Sequence, residues 1–216
     1  MGNNISLDLM EFIEKSILPR YAEFDKAHGM EHVIGVVRRS LEIARRLGAD
    51  LDMTYTVAAY HDLGLAGPRA IHHITGGKIL ASDARLKRWF SPEKLKIMKE
   101  AVEDHRASAS HAPRNMYGKI VAEADRDLNP ETVMRRTVQF GLSNYPELDR
   151  ESHWKRFCEH LNNKYSHNGY IKLWIPGSPN EQNLKKIREM IEDKMLLRDM
   201  FDRFYSEEHE PASHPL

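Results

Sequence analysis

Residues 56–64 read Thr-Val-Ala-Ala-Tyr-His-Asp-Leu-Gly and place an imidazole, His61, beside a carboxylate, Asp62, at the end of an apolar run. Adjacent residues on a helix point about 100° apart, so these two side chains can converge on one ion at the helix edge. An ionised aspartate among apolar residues is costly to bury unless a cation or hydrogen-bond donors compensate it. The doublet also fits a plain helix end with a solvated aspartate, and taken alone it favours that simpler interpretation.

The composition limits the class of protein. A chain of 216 residues is long enough for one well-packed domain with an appendage. Its 32 basic and 32 acidic residues balance, so no overall charge favours a nucleic-acid partner or a membrane surface. The single cysteine, Cys158, excludes internal disulfides and cysteine-based zinc sites. With no signal-peptide pattern and no apolar run of membrane-spanning length, we expect a cytoplasmic protein without a membrane partner.

Apolar residues recur at helical spacing through most of the chain, and no alternating segment is long enough for a sheet. The pattern predicts a helix before Pro19, one from about 28 to 47, one that ends at the His61–Asp62 pair, and one over 71–89. Further helices are predicted at about residues 91–105, 117–127, 130–140, 153–165 and 180–205. The expected fold class is all-α.

The predicted organisation is one helical bundle with an extension. Residues 1–145 are expected to form the core that carries the candidate ligands, and residues 146–208 a C-terminal helical elaboration packed on that core. The composition changes after Tyr145-Pro146, which sets this boundary. Residues 209–216 are expected to form a disordered tail.

Potential nitrogen and oxygen ligands for a metal recur near the ends of successive predicted helices. Neighbouring antiparallel helices bring such ends together when the ligands alternate between helix starts and helix ends. The residues placed in this way are His32, His61, Asp62, His72, His105 and Asp125.

This order of residues resembles that of the HD-domain metal-dependent phosphohydrolases. Their pattern is a histidine, then a His-Asp doublet, then a distant aspartate, each on a separate helix of an all-α core. Here it reads as His32 within HGMEHV, His61-Asp62 within HDLG, and Asp125 within AEADR. The resemblance covers about residues 20–140.

The resemblance implies that His32, His61, Asp62 and Asp125 bind a divalent metal, with His61 and Asp62 at the catalytic centre. A mixed nitrogen and oxygen shell suits Mn, Fe, Co, Ni or Zn better than an all-oxygen site would, and Mg stays among the options.

Some branches of the family add a second metal, so one or two ions per chain are expected. The segment His72-His73-Ile74-Thr75-Gly76-Gly77 resembles the stretch that supplies a ligand to it, and His105 resembles the next histidine. His72 and His73 compete for this role, and Asp62 would be the bridging carboxylate.

The implied activity is hydrolysis of a phosphate ester of a small molecule, with a nucleotide as the expected class, by a metal-activated water. Cationic and polar groups near the proposed site are candidates for binding this phosphorylated substrate, although each of the lysines and arginines could equally be a solvated surface charge. These candidates are His28, Lys78, Arg106, Arg114 and Lys119.

Two specialised activities of the family lack their signatures here. The Glu-Asp pair of the alarmone hydrolases does not follow the doublet, and the Gly-Tyr-Pro signature of the cyclic-di-GMP phosphodiesterases does not follow His105. Two other functions stay open. One is a di-iron oxygenase on the same scaffold, and the other is a non-catalytic regulatory protein that binds a metal or a ligand.

Overall fold

The structure, a computed structural model, describes residues 4–25, 28–109 and 111–209. Within these ranges the regular elements are α-helices and short 3-10 helices, with no strand, so the all-α prediction is confirmed. None of the described helices is both long and apolar enough to cross a membrane. The chain divides into two compact units, with the division between Arg126 and Asp127.

The described residues of the first unit form six α-helices. They are α1 (Leu7–Ser16), α2 (Met30–Leu47), α3 (Leu51–Tyr60), α4 (His72–Ser82), α5 (Pro92–Glu103) and α6 (Met116–Asp125). The unit is built around α3, where every residue from Met53 to Tyr60 is buried. Helices α1, α2, α4, α5 and α6 all pack against it. A helix that is apolar all round belongs in the interior, and this position places the His61–Asp62 pair in the middle of the unit.

Glycine and aspartate caps mark several helix ends. Gly48 ends α2 in the left-handed conformation, with φ of 65°, as its sequence position predicts. Asp50 caps α3 by accepting a hydrogen bond from the Met53 amide, whereas the sequence pattern predicts Asp52 as the cap. The predicted helix over 71–89 ends at Ser82. It stops there because Asp83 accepts from the Arg85 amide and starts a 3-10 helix.

The second unit contains four α-helices, α7 (Pro130–Asn144), α8 (Arg150–Tyr165), α9 (Pro179–Glu192) and α10 (Lys194–His209). The pattern over 180–205 predicts one long helix, but the structure has two. The break lies at Asp193, whose carboxylate accepts from the amides of Met195 and Leu196 and so caps the start of α10.

Helix α7 belongs to the second unit, although the sequence-based boundary at residue 145 assigns it to the core. Its apolar face explains the difference, because Val133, Met134 and Val138 share one buried cluster with Phe157 and Phe201. The packing of residues 146–208 on the core stays a prediction. Of the predicted disordered tail, residue 209 ends α10 and residues 210–216 lie outside the described ranges.

Candidate metal centre

Six candidate ligands come from helix ends in the first unit. His32 is the third residue of α2, and His72 is the first of α4. His61 follows the last residue of α3, and His105 follows α5 by two positions. These ends alternate between start and finish, as the sequence predicts. Asp125 breaks the alternation because it is the last residue of α6.

Four of these side chains meet in a first cluster. The Nε2 atom of His32 lies 3.2 Å from Asp125 Oδ1 and 3.3 Å from His61 Nε2. The Nε2 atom of His61 lies 3.2 Å from Asp62 Oδ2 and 3.7 Å from Asp125 Oδ1. Residues that are 93 positions apart in sequence are therefore brought together as predicted.

Asp62 also belongs to a second cluster, through its other carboxylate oxygen. Asp62 Oδ1 lies 3.4 Å from His72 Nε2 and 3.4 Å from His105 Nε2, and these two nitrogens are 3.2 Å apart. The first cluster uses Asp62 Oδ2, so the carboxylate faces both clusters at once. His73 is not in this group, so of the two histidines that compete for the ligand role the structure places His72 in the second cluster.

Three of the histidines are held in the same way. His61 Nδ1 bonds to the carbonyl of Ala58 at 2.7 Å, and His105 Nδ1 bonds to the carbonyl of Val102 at 2.6 Å. His72 Nδ1 bonds to the carbonyl of Arg69 at 2.8 Å. Each carbonyl lies three residues before its histidine. Because a carbonyl only accepts, each Nδ1 carries the proton and each Nε2 presents a lone pair to its cluster.

The second cluster consequently contains three acceptors that face one another. Two Nε2 lone pairs and Asp62 Oδ1 lie within 3.4 Å of each other, and in these tautomers none of them donates. Burial lowers the pKa of His105, but the hydrogen bond to Asp62 outweighs burial and raises it, so either a proton on His105 or a metal ion between the members can compensate this set. Donors bound at about 2.1 Å to one divalent ion lie about 3.0–3.4 Å apart in octahedral or tetrahedral geometry. The second cluster, at 3.2–3.4 Å, fits this range, and the first cluster, at 3.2–3.7 Å, is slightly wider.

The charges in the centre favour a cation as well. Burial opposes ionisation of Asp62 and Asp125, but the surrounding imidazoles outweigh burial and hold the pKa of both carboxyls well below the ordinary range. Burial also lowers the pKa of His32, yet hydrogen bonds to Asp125 and Asp62 outweigh it and raise that pKa to about 9. The centre thus contains two ionised carboxylates that attract positive charge.

The hydroxyl of Tyr21 holds the backbone next to the His61–Asp62 doublet. It lies in a 3-10 helix, Leu18–Glu23, and is fully buried. Its hydroxyl donates to the carbonyl of Ala59 at 3.0 Å and accepts from the amide of Asp62 at 3.3 Å. Burial, followed by the charge of Asp62, raises its pKa well above the ordinary value, so the phenol keeps its proton. Sequence periodicity gives no signal for this residue, because its 3-10 turn is too short to show a pattern.

Glycines allow α4 to approach the doublet. A β-carbon on Gly64 would lie 1.9 Å from the carbonyl oxygen of His72, and one on Gly76 would lie 3.1 Å from the carbonyl oxygen of His61. A β-carbon on Gly77 would lie 2.7 Å from Glu103 Cγ. Gly76 and Gly77 therefore allow α4 to approach its neighbours closely, and this approach sets the position of His72.

The centre is accessible on one side. Side-chain exposure is 26% for Asp125, 14% for His32 and 12% for His72, whereas His61 is fully buried. His28 lies beside this opening, with its ring centroid 5.9 Å from that of His32. His28 Nδ1 bonds to Asp25 at 2.8 Å, and Arg69 Nη2 lies 3.2 Å from His28 Nε2.

The other predicted substrate-binding residues differ in their surroundings. Arg114 is bound to Asp104 through its backbone amide and its guanidinium, so its charge is already neutralised. Arg106 donates to the carbonyl of Ala70 at 2.9 Å. Lys78 is exposed and Lys119 is half-buried, and neither forms an ion pair within the described ranges.

Comparison with known proteins adds to this geometry. Residues 29–129 match the family model described as "HD domain", and all six candidate ligands lie within that segment. The chain is similar to a solved structure, of a "predicted HD superfamily hydrolase" from an uncultured Thermotogales bacterium. The identity is 19%, the TM-score is 0.50, and the match covers 93% of this chain and 91% of the other, which is a similarity of fold. No curated protein matches the sequence.

Proposed function

Because residues 29–129 match the family model described as "HD domain", we propose that this chain is a metal-dependent phosphohydrolase of the HD-domain superfamily. The proposed substrate is a small phosphorylated molecule, with nucleotides as the expected class. The observation that carries the proposal is the pair of clusters that share Asp62, since each offers lone pairs to one divalent ion. His32, His61, Asp62 and Asp125 would hold the first ion, and Asp62, His72 and His105 the second.

A divalent ion in such a centre supplies Lewis-acid activation of water and of a phosphoryl oxygen. The protein's own groups do the remaining work. The Nδ1 bonds of His61, His72 and His105 hold their rings in one tautomer, so no reorganisation is needed when a cation binds. The buried side of the centre excludes bulk water, and the side with His32 and Asp125 admits the substrate.

The polar groups at the opening are placed to bind the phosphate. Arg69 is 68% exposed, and its guanidinium already reaches His28, which lies against the His32 ring. A guanidinium offers a forked pair of donors to a phosphate. His28 would orient this guanidinium, because its Nδ1 donates to Asp25 and its Nε2 accepts from Arg69. We therefore assign phosphate binding to Arg69, whose ion pair with Asp25 is long at 3.9 Å, and a positioning role to His28, in place of Arg114 with its close pair to the buried Asp104.

Metal content tests the assignment directly. We expect two ions per chain in the wild-type protein, one in His105→Gln, and none in Asp62→Ala, because Asp62 contributes to both clusters. His73→Gln is the matched control for His72→Gln, since only the second removes a cluster nitrogen. Equal metal content in Asp62→Ala and wild type would show that the centre does not bind metal as proposed.

Activity is then measured on a panel of nucleotides and phosphomonoesters with the native metal supplied. Loss of Asp62 should lower the rate by several orders of magnitude, because it removes the contribution of the metals altogether. A panel without turnover, together with tight binding of a phosphorylated ligand, would instead support a non-catalytic regulatory protein.

The second cluster also favours a second candidate function. Six donors with a bridging carboxylate suit a pair of iron ions, which is the requirement of a di-iron oxygenase. Two irons per chain with an oxygen-sensitive absorbance, and no hydrolysis across the panel, would favour the oxygenase. Hydrolysis that is supported equally well by redox-inert ions would exclude it.

A further inference from the structure

A half-open cavity of about 630 Å³ lies behind the second cluster. This volume is within the usual range for small-molecule sites, about 300–1,000 Å³. Its lining contains no candidate metal ligand. The charged and polar residues that matter here are His73, Glu103, Asp104, Arg106, His111 and Arg114.

The cavity and the metal centre are separated by two short pieces of chain. His72 faces Asp62, while the next residue, His73, lines the cavity. His105 also faces Asp62, while its neighbours on both sides, Asp104 and Arg106, line the cavity. The two sites are therefore distinct, and they are held by the same backbone.

The acidic groups of the cavity are already compensated. Asp104 is buried and accepts from the Arg114 amide at 2.7 Å and from Arg114 Nε at 2.9 Å. Glu103 accepts from Arg114 Nη2 at 2.8 Å and is also paired with Lys99. These pairs leave no free carboxylate to repel an anion.

Arg106 keeps a free charge. One of its guanidinium nitrogens donates to the carbonyl of Ala70, and no carboxylate in the described ranges pairs with it. Its charge also acts on the imidazoles of His72 and His73, so it lies close to the wall between the two sites. A partly buried arginine without a counter-ion favours an anionic ligand.

His73 is held differently from the histidines of the metal centre. Its Nδ1 atom is buried and forms no hydrogen bond to a described residue, whereas His61, His72 and His105 are each tied to a carbonyl. The hydrogen-bonding capacity of this nitrogen is therefore unused among the described residues. Buried polar atoms without a partner are uncommon in folded proteins, and a bound ligand would supply one.

We propose that this cavity is a second ligand site, which binds a small phosphate- or carboxylate-bearing molecule through Arg106 and His73. The site goes beyond the proposed hydrolysis, because neither residue reaches the candidate ligands' donor atoms. Ser108 and His111 supply further polar groups to the lining.

The test uses the full-length protein, titrated by calorimetry with inorganic phosphate and, separately, with citrate. Asp62→Ala is titrated in parallel, because it removes phosphate binding at the metals and leaves the cavity intact. We expect saturable binding of one of the two probes that persists in Asp62→Ala. Arg106→Gln should weaken it about tenfold, because a charge-assisted pair is lost. His73→Phe should weaken it as well.

Arg88→Gln is the matched control, since Arg88 is exposed in the same unit and is paired with Asp8 outside the cavity. Arg106→Lys keeps the charge and should bind the probe with intermediate affinity. It therefore distinguishes loss of the charge from misfolding of the variant. Binding of equal strength in wild type and Arg106→Gln would overturn the proposal, and so would failure of both probes to saturate the wild type. Neither result bears on the proposed hydrolysis, which is tested by metal content and by turnover.

Discussion

The hydroxyl of Tyr21 joins the last turn of α3 to the His-Asp doublet, since it donates to the carbonyl of Ala59 and accepts from the amide of Asp62. The carboxylate of Asp62 faces both candidate clusters, so a residue that holds its backbone helps to position both. Tyr21 touches neither cluster through its own oxygen, and its role is therefore one of positioning.

Tyr21→Phe tests this role. It leaves the Asp62 amide and the Ala59 carbonyl without their partner, which should cost about 1–3 kcal/mol of unfolding free energy. Metal affinity should fall about 10- to 100-fold, as for other groups that orient metal ligands. The control is Tyr55→Phe, a buried tyrosine in the same unit that forms no hydrogen bond through its hydroxyl in the described structure. Equal metal affinity in the two variants would contradict the positioning role.

Gly64→Ala should damage the second cluster. The new β-carbon would overlap the carbonyl oxygen of His72, and that backbone atom cannot move aside without moving the His72 ring. We expect a melting temperature lower by more than about 5 °C and the loss of one of two bound ions. Gly67→Ala is the matched control, because its β-carbon would meet its nearest neighbour at an ordinary 3.6 Å. Equal melting temperatures for the two variants would contradict this prediction.

Arg114→Gln should destabilise the first unit. Asp104 is 1% exposed and would be left as a buried charge with one fewer donor. Breaking a fully buried pair costs roughly 3–5 kcal/mol, and less is expected here because the Arg114 side chain is 43% exposed. The measurement is chemical denaturation. The double variant Asp104→Asn with Arg114→Gln should recover part of the loss, and no recovery would mean that the two side chains are not coupled.

His160 should make the protein sensitive to acid. Burial, followed by the charges of Lys164 and Arg156, lowers its pKa from 6.5 to about 4. Between about pH 4 and pH 6.5, His160 is therefore protonated in the unfolded chain and neutral in the folded chain. The stability from the neutral ring is fully present above pH 6.5 and is lost as the pH falls towards 4.

The measurement is the melting temperature of wild type and His160→Gln between pH 7 and pH 4.5. The variant should lose fewer degrees over this range than the wild type does. His167→Gln serves as the control, because His167 is exposed and should leave the wild-type slope in place. A variant whose melting temperature falls as steeply as that of the wild type would rule out His160 as the sensitive group.

The positions of the ligands could be predicted because they depend on helix ends. Caps, glycines and prolines mark such ends in the sequence, and His32, His61 and Asp125 follow from them. The choice between His72 and His73 could not be made in this way. One residue rotates a side chain by about 100°, and the start of α4 is known only from the structure.

Other features depend on contacts that a linear pattern does not contain. Tyr21 reaches Asp62 across 41 positions from a 3-10 turn without periodicity. Arg114 is close to the site in sequence, yet it turns back to Asp104 across a loop, so proximity along the chain misstates its role. Asp193 splits the last predicted helix because its carboxylate caps the next one, and helical periodicity passes through such a break unchanged.

Every candidate ligand precedes the division of the chain at Arg126, and Asp125 is the last of them. The donors of the proposed centre therefore lie on one stretch, residues 32–125, and the described residues of the second unit supply none of them. Insertions, deletions and substitutions after this point would leave every proposed ligand in the chain. Relatives that exchange the second unit for an unrelated sequence should keep the same metal stoichiometry, so evolution can alter the two parts at different rates.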